Sequence, residues 1–281
     1  MPQFVLTLSC PDQPGIVRAL AEGVVSVGGN IMENAQFSDP VTGTFCMRTQ
    51  FEAPTDDADQ VQARIAAEVA QFGPLLSVRS ADVCRRALVM VSKFDHCLVD
   101  LLYRWEIGEL PVDLPLVVSN HQDCRELVER YGIPFVHLPV SKESKPAAEA
   151  RLFELVADHR IDFVVLARYM QVLSDDACRR LSGRVINIHH SFLPGFKGAK
   201  PYHQAFERGV KLIGATAHFV TADLDEGPII EQGVVRVTHA QDAEALVALG
   251  RDVERVVLSK AVRLHAEDRV LLTGARTVVF D

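Results

Sequence analysis

From Ala87 onward the chain carries short apolar runs with no polar residue inside them. Examples are "ALVMV" (Ala87–Val91), "LPLVV" (Leu114–Val118) and "FVVLA" (Phe163–Ala167). A strand with one face in water alternates apolar and polar side chains. Unbroken runs suit strands buried on both faces, which means a parallel sheet covered by helices on each side. Helical patterns such as "RELVERYG" and "AAEARLFELVADHR" fill the intervals. This part of the chain is therefore expected to be a doubly wound α/β domain with a mostly parallel sheet. In such sheets ligands sit outside the carboxyl ends of the strands.

The residues before it follow a different rule. "FVLTLSC" alternates as a half-buried strand does, and "PDQPG" is turn chemistry. "IVRALAEGVVSVG" has helical spacing and closes on Gly28-Gly29. Two strand-like stretches flank the turn "PVTG". A helix with acidic residues in its first turn and a last strand, "PLLSVRSAD", complete a βαββαβ order. That order is the ferredoxin-like pattern. The change of pattern near "CRR" (Cys84–Arg86) places the boundary, giving residues 1–83 as a small N-terminal domain and 84–281 as the α/β domain. No internal repeat or low-complexity tract interrupts either.

The bulk numbers exclude several classes. With 37 acidic against 29 basic residues, the 281-residue chain carries a net charge of -8. Nucleic acid and anionic membrane surfaces call for a basic face, so neither is expected as a partner. The six cysteines are scattered, without a CxxC pair, which argues against a disulfide framework or zinc knuckle. No metal site is expected. "MPQFVLTLSC" has no secretory signal pattern, and no apolar run approaches the roughly 20 residues of a membrane span. A cytoplasmic protein with reduced thiols is the expectation.

Chemistry concentrates in "VINIHHSFLPGFKG" (Val185–Gly198). The apolar start reads as a strand, so Asn187, His189 and His190 fall at its carboxyl end. Asn187 and His189 are two apart and project to one face. Adjacent His189 and His190 point to opposite faces on an extended chain, so they are not expected to share a metal ion. A second constellation follows in "IGATAHFVTADLDEGPIIEQ" (Ile213–Gln232), where Asp225 sits in a loop framed by Gly227-Pro228. The plainer reading of Asp225 is a turn residue bonding its own backbone. Together, however, an Asn amide, a His and an Asp can stabilise an oxyanion, move a proton and activate water. No GxSxG elbow occurs, and nothing around Ser191 suggests activation. The nucleophile is therefore water or a substrate amine.

These residues carry a resemblance. Asn187–Ile230 resembles the formyltetrahydrofolate-dependent formyltransferase fold, whose pattern is Asn-x-His, a Ser-x-Leu-Pro loop and His-x-Val-x(4)-Asp-x-Gly-Pro. It falls here on Asn187, His189, Ser191, Leu193, Pro194, His218, Val220, Asp225, Gly227 and Pro228. "LARYMQVLS" (Leu166–Ser174) looks like that family's folate-binding segment. After the first strand the glycinamide ribonucleotide transformylases carry a Gly-rich phosphate loop. This chain has "VSKFDHCLVDLLYRW" there, with no glycine. That loop, the His at 190 and an N-terminal ACT-like unit look like the formyltetrahydrofolate deformylases.

The resemblance implies hydrolysis of 10-formyltetrahydrofolate to formate and tetrahydrofolate, linked through one-carbon supply to purine biosynthesis. The folate is the substrate and no cofactor is implied. Asn187, His189 and Asp225 would be catalytic. Met170, Gln171, Val172, Leu173, His190, His218 and Thr221 would bind substrate. Burial is expected to raise the pKa of Asp225 toward neutrality. The ACT-like domain implies a homo-oligomer taking amino-acid effectors, methionine and glycine, at Asp12, Gln13, Gly15, Ile16 and Asn30. Two other readings use the same residues: a formyltransferase with an amine acceptor, and a non-catalytic folate or amino-acid sensor.

Overall fold

The computed structural model describes residues 1–193, 195 and 201–281. It divides into two compact units, Met1–Cys84 with Glu267–Asp281, and Arg85–Ala266.

The first unit opens with β1 (Gln3–Pro11), α1 (Ile16–Ser26), β2 (Asn30–Asp39), β3 (Thr44–Glu52), α2 (Ala58–Val69) and β4 (Leu75–Ser80). The strands form an antiparallel sheet in the order β2-β3-β1-β4. α1 buries Ile16, Ala19, Leu20, Gly23 and Val24, an apolar stripe at helical spacing. Gly23 lets it close on α2, because a Cβ there would crowd Ile65. Asp57 caps α2 by accepting from the Gln60 N–H at 2.9 Å. Phe4, Leu6, Leu8, Leu20 and Phe51 are fully buried in the core, each contributing about 1.5–3 kcal/mol.

The chain returns to this unit at its end, which corrects the expected boundary. Residues 267–281 belong to the N-terminal unit and not to the α/β domain. β12 (Val270–Thr273) and β13 (Arg276–Val279) pair as a hairpin. Leu271, Val278 and Phe280 bury with Cys46 of β3 and Ala35 of β2. Polar groups pin the return: Arg48 donates to the Glu267 carbonyl at 3.0 Å, Arg269 pairs with Glu33 at 3.2 Å, and Arg79 pairs with Asp268. The hairpin is too short to have a periodicity of its own, so only its tertiary partners reveal where it belongs.

The second unit contains β5 (Arg85–Val91), α3 (His96–Glu106), β6 (Val112–Ser119), α4 (Arg125–Arg130), β7 (Phe135–His137), α5 (Lys145–Asp158) and β8 (Phe163–Ala167). It continues with α6 (Asp175–Arg180), β9 (Val185–His189), α7 (Pro201–Glu207), β10 (Leu212–Phe219), β11 (Ile229–Arg236) and α8 (Ala243–Ala266). The sheet order is β11-β10-β9-β8-β5-β6-β7. β7, β6, β5, β8 and β9 are parallel, while β10 runs antiparallel to both of its neighbours, β9 and β11. Leu88, Met90, Leu116, Val118, Val164 and Leu166 pack one face against Leu152, Leu155 and Val156 of α5 and Ala177 of α6. On the other face, His265 of α8 meets the rings of Phe163 and Phe219 edge-on, with centroids 4.8 and 5.4 Å apart. The unbroken runs are thus covered on both sides.

Candidate active site

β9 ends at His189 and lies between β8 and β10. Its antiparallel register with β10 sets His218 directly opposite Asn187. A bulge between Ala217 and His218 in the β10–β11 pairing re-aims the strand there. The His218 Nδ1–H faces the Phe219 carbonyl at 2.9 Å, so that nitrogen is the donor. Nε2 then accepts from the Asn187 amide at 3.2 Å. Burial pushes the pKa of His218 down, which keeps the ring neutral and this tautomer fixed. An Asn amide carries two N–H groups. One is given to His218 and the other stays available.

Asp225 reaches the same place from the β10–β11 loop. Its Oδ1 lies 3.2 Å from His189 Nδ1 and 3.9 Å from His218 Nε2. The loop is held tightly. Asp225 has a left-handed backbone with φ of 57°, a conformation uncommon outside Gly, Asn and Asp. Gly227 passes so close to the Phe219 carbonyl that a Cβ would collide with it. The Phe219 N–H donates to the Pro228 carbonyl at 2.9 Å.

The pKa of Asp225 runs opposite to expectation. The hydrogen bond from His189 outweighs burial and holds the carboxyl below the ordinary aspartate range. Its side chain is only 13% exposed, so burial does oppose ionisation, but a partnered carboxylate is the stable form. Among the described residues, His189 Nε2 is buried and has no hydrogen-bond partner.

These groups line a cavity of about 580 Å³. Asn187, His189 and Asp225 are on its wall, as are Met170, Gln171, Val172, Leu173, His190, His218 and Thr221. All the catalytic and substrate-binding positions expected from sequence therefore come together. Ser92 helps to anchor the folate-type segment: its hydroxyl accepts from the Met170 N–H at 2.9 Å and donates to Asn120 Oδ1 at 2.7 Å. Ser191 is occupied elsewhere, donating to the Gly195 carbonyl at 2.8 Å. Its loop is tied to Thr216, which accepts from the Leu193 N–H at 3.1 Å and donates to the Ser191 carbonyl at 3.0 Å. Pro194 of the Ser-x-Leu-Pro frame lies outside the described residues.

One expected placement does not hold, and one set of expected positions lies apart within the chain. His190 does not face away from His189; their ring centroids are 5.2 Å apart and both line the cavity. The strand stops at His189, so its alternation does not extend to the next residue. Asn30 does not join the turn at Asp12, Gln13, Gly15 and Ile16 within one chain. It sits beside Glu52 and hence near Gln3, whereas the Asp12 N–H bonds to Gly43 at the far end of the sheet. Nine strand residues separate the two ends, or roughly 30 Å.

Sequence reasoning missed a second polar cluster on the cavity wall. Glu254 of α8 is 1% exposed. It accepts from Tyr202 at 2.8 Å and bonds His96 at 2.8 Å, with Arg168 at 3.4 Å. The readable signal was Glu254 lying four residues from both Gly250 and Leu258, on the apolar stripe of a long helix. Among the described residues, His96, Cys97 and Glu254 are the one group with ligand atoms close enough for a metal, within 4.8 Å. The cluster fits a metal poorly. His96 and Glu254 already bond each other, Arg168 holds the same carboxylate, and burial pushes the Cys97 thiol pKa well up.

A parallel sheet with an Asn/His/Asp constellation at its carboxyl end defines the formyl-transfer class of catalytic domain. The family model described as "Formyl transferase" matches residues 85–262. The chain belongs to the formyltetrahydrofolate deformylase family. The deformylase of Corynebacterium sp. (strain P-1) is 51% identical over 279 residues, covering 99% of this chain and 98% of that protein. The deformylase of Bacillus subtilis (strain 168) is 46% identical, covering 98% and 93%. The crystal structure of the formyltetrahydrofolate deformylase from Pseudomonas syringae pv. tomato str. DC3000 matches with a TM-score of 0.96 at 47% identity, covering 100% of this chain and 95% of that one.

Proposed function

We propose that this chain hydrolyses 10-formyltetrahydrofolate to formate and tetrahydrofolate, with Asn187, His189 and Asp225 as the catalytic residues. The carrying observation is the His189 Nδ1–Asp225 Oδ1 contact of 3.2 Å, which leaves on the cavity wall a buried Nε2 with no partner among the described residues. The formyl oxygen would take that position. The free N–H of Asn187 donates to it, so charge developing on the oxygen is met by a prearranged donor. With His189 protonated beside the Asp225 carboxylate, Nε2–H donates to the same oxygen and then gives its proton to the leaving N10, and the water proton accepted by Asp225 balances the one that His189 gives up. Asp225 orients the attacking water. A carboxylate with so low a proton affinity does not ionise water beforehand. It accepts the proton as the C–O bond forms.

The segment Met170–Leu173 suits a pterin ring held by backbone groups, and Val220 lines the same cavity. The folate is substrate and no further cofactor is part of this reading. The formate and tetrahydrofolate would feed one-carbon supply to purine biosynthesis in the cytoplasm. Among the described residues no helix is long and apolar enough to cross a membrane.

The N-terminal unit is read as an ACT-type regulatory module in a homo-oligomer. Its sheet order and the glycine turn at Gly15, φ 101°, support that reading. The effector pocket for methionine or glycine would use Asp12, Gln13, Gly15 and Ile16. Titration calorimetry with each amino acid tests it, and no heat with either would remove it.

The test of the activity is to mix the purified protein with 10-formyltetrahydrofolate and no acceptor. Stoichiometric formate and tetrahydrofolate are expected. Tetrahydrofolate formed only when an amine is supplied would make the protein a transferase.

A further inference from the structure

The cluster around Glu254 is not used by the hydrolytic mechanism, yet it shares the cavity with the catalytic residues and is joined to them. His190 stands 5.2 Å from His189 and 6.3 Å from Tyr202, ring centre to ring centre. Tyr202 then donates to Glu254, and Glu254 holds His96 and Arg168. The carboxylate of Glu254 is already fully engaged. Tyr202 and His96 each take one carboxylate oxygen of Glu254, and the guanidinium of Arg168 lies over the ring of Phe94 at 5.7 Å. Tyr202 is seated flush against α8, where a Cβ on Gly250 would run into its ring. Burial raises the proton affinity of Glu254, but the His96 bond and the Arg168 charge outweigh it and keep the group a carboxylate. A buried ion cluster of this kind contributes little to stability compared with apolar packing. Stability therefore does not account for it.

An amine acceptor needs two things from its binding site: free polar groups to desolvate and orient its nitrogen, and space beside the formyl carbon. We propose that His96, His190, Tyr202 and Glu254, with Arg168, form a closed wall that denies amine acceptors that seat, and so reserve the formyl group for water. The proposal rests on the hydrolytic reading above. With water, an O–C bond forms and the C–N10 bond breaks; one proton passes to N10, and formate, a proton and tetrahydrofolate leave. With an amine, an N–C bond would form and the C–N10 bond break. One amine proton would pass to N10, giving an N-formyl amine and the same tetrahydrofolate. The two outcomes differ only in which nucleophile reaches the carbon.

The experiment incubates the full-length protein with formyl-labelled 10-formyltetrahydrofolate and glycinamide, and measures labelled N-formylglycinamide against labelled formate. The unaltered protein is expected to give formate alone. Tyr202→Ala and His96→Ala, which open the wall, are expected to raise the formyl-amine share at least tenfold and in proportion to amine concentration. Variants that still bind the folate and release formate, with the share unchanged, overturn the proposal. A second measurement needs no variant. The unaltered protein should pass its formyl group to hydroxylamine, which is little larger than water, in preference to glycinamide. Equal trapping per mole overturns the wall even if both variants misfold. Absence of formate in the amine-free control would instead remove the hydrolytic reading, so the two failures are distinguishable.

Discussion

Asp225 combines three constraints in one residue: a left-handed backbone, a hydrogen bond from His189 and a lowered pKa. The Asp225→Asn change keeps the shape but removes the charge. It is expected to lower kcat by about 10²–10⁴-fold and leave folate affinity near normal, measured by turnover and by fluorescence titration. Because the Asp225 pKa lies below the ordinary value of about 3.9, its titration belongs below that pH. The kcat/KM profile is therefore expected to show no acid limb from Asp225 above about pH 4. A limb near 6 that vanishes in Asp225→Asn would contradict this assignment. His190 acts in the same pH direction on stability. Burial, aided by the Arg168 charge, lowers its pKa from 6.5 to about 4. The unfolded chain thus binds a proton between these values that the folded one refuses, and stability falls as pH drops through that window. The loss from this one group is on the order of 2–3 kcal/mol. Urea midpoints at pH 7 and pH 4.5 should differ by less in His190→Gln.

At the level of elements, the site is made by an antiparallel pair added to a parallel sheet. β9 supplies Asn187 and His189, β10 supplies His218 across from them, and the loop into β11 supplies Asp225. Gly227 is the contact that holds this loop on β10. The Gly227→Ala change is expected to push the loop away from Phe219. It should destabilise the protein by about 1–3 kcal/mol and reduce kcat as Asp225 drifts from His189. Denaturant unfolding and steady-state kinetics on the same variant check both effects. Placing Asn187, His189 and Asp225 in one site was possible from sequence, because each lies at a strand end or in a framed loop. The Glu254 cluster was not, because its members come from the start of α3, the segment after β8, α7 and α8. No local spacing relates them.

At the scale of the whole molecule, the polypeptide leaves the N-terminal unit at Cys84 and comes back at Glu267. Deleting residues 267–281 would uncover Cys46 and remove the buried Leu271, Val278 and Phe280. Hydrogen exchange is expected to rise in β2 and β3 of that truncated chain, while β5, β8 and β9 stay protected. Uniform loss of protection would contradict the division. The thiols offer a second check. Cys84 is exposed and the other five cysteines are buried. Burial raises the pKa of Cys46 and Cys124 to about 11 and that of Cys97 well above the ordinary thiol. One thiol per native chain should therefore react promptly with Ellman's reagent, and the rest only after denaturation.

Sequence alone determined the class of each half of the chain. A strand buried on both faces must be apolar throughout, and a half-buried one must alternate, and both facts are local. It also determined Asn187 and His189 as one face of a strand end, again a local period. Only tertiary structure decided the direction of the Asp225 pKa, the turn of His190 into the cavity, the return of the last fifteen residues to the first unit, and the wall around Glu254. Each depends on which groups from distant parts of the sequence come within a few ångströms. Electrostatics and packing act over that distance in space, whatever the separation along the chain.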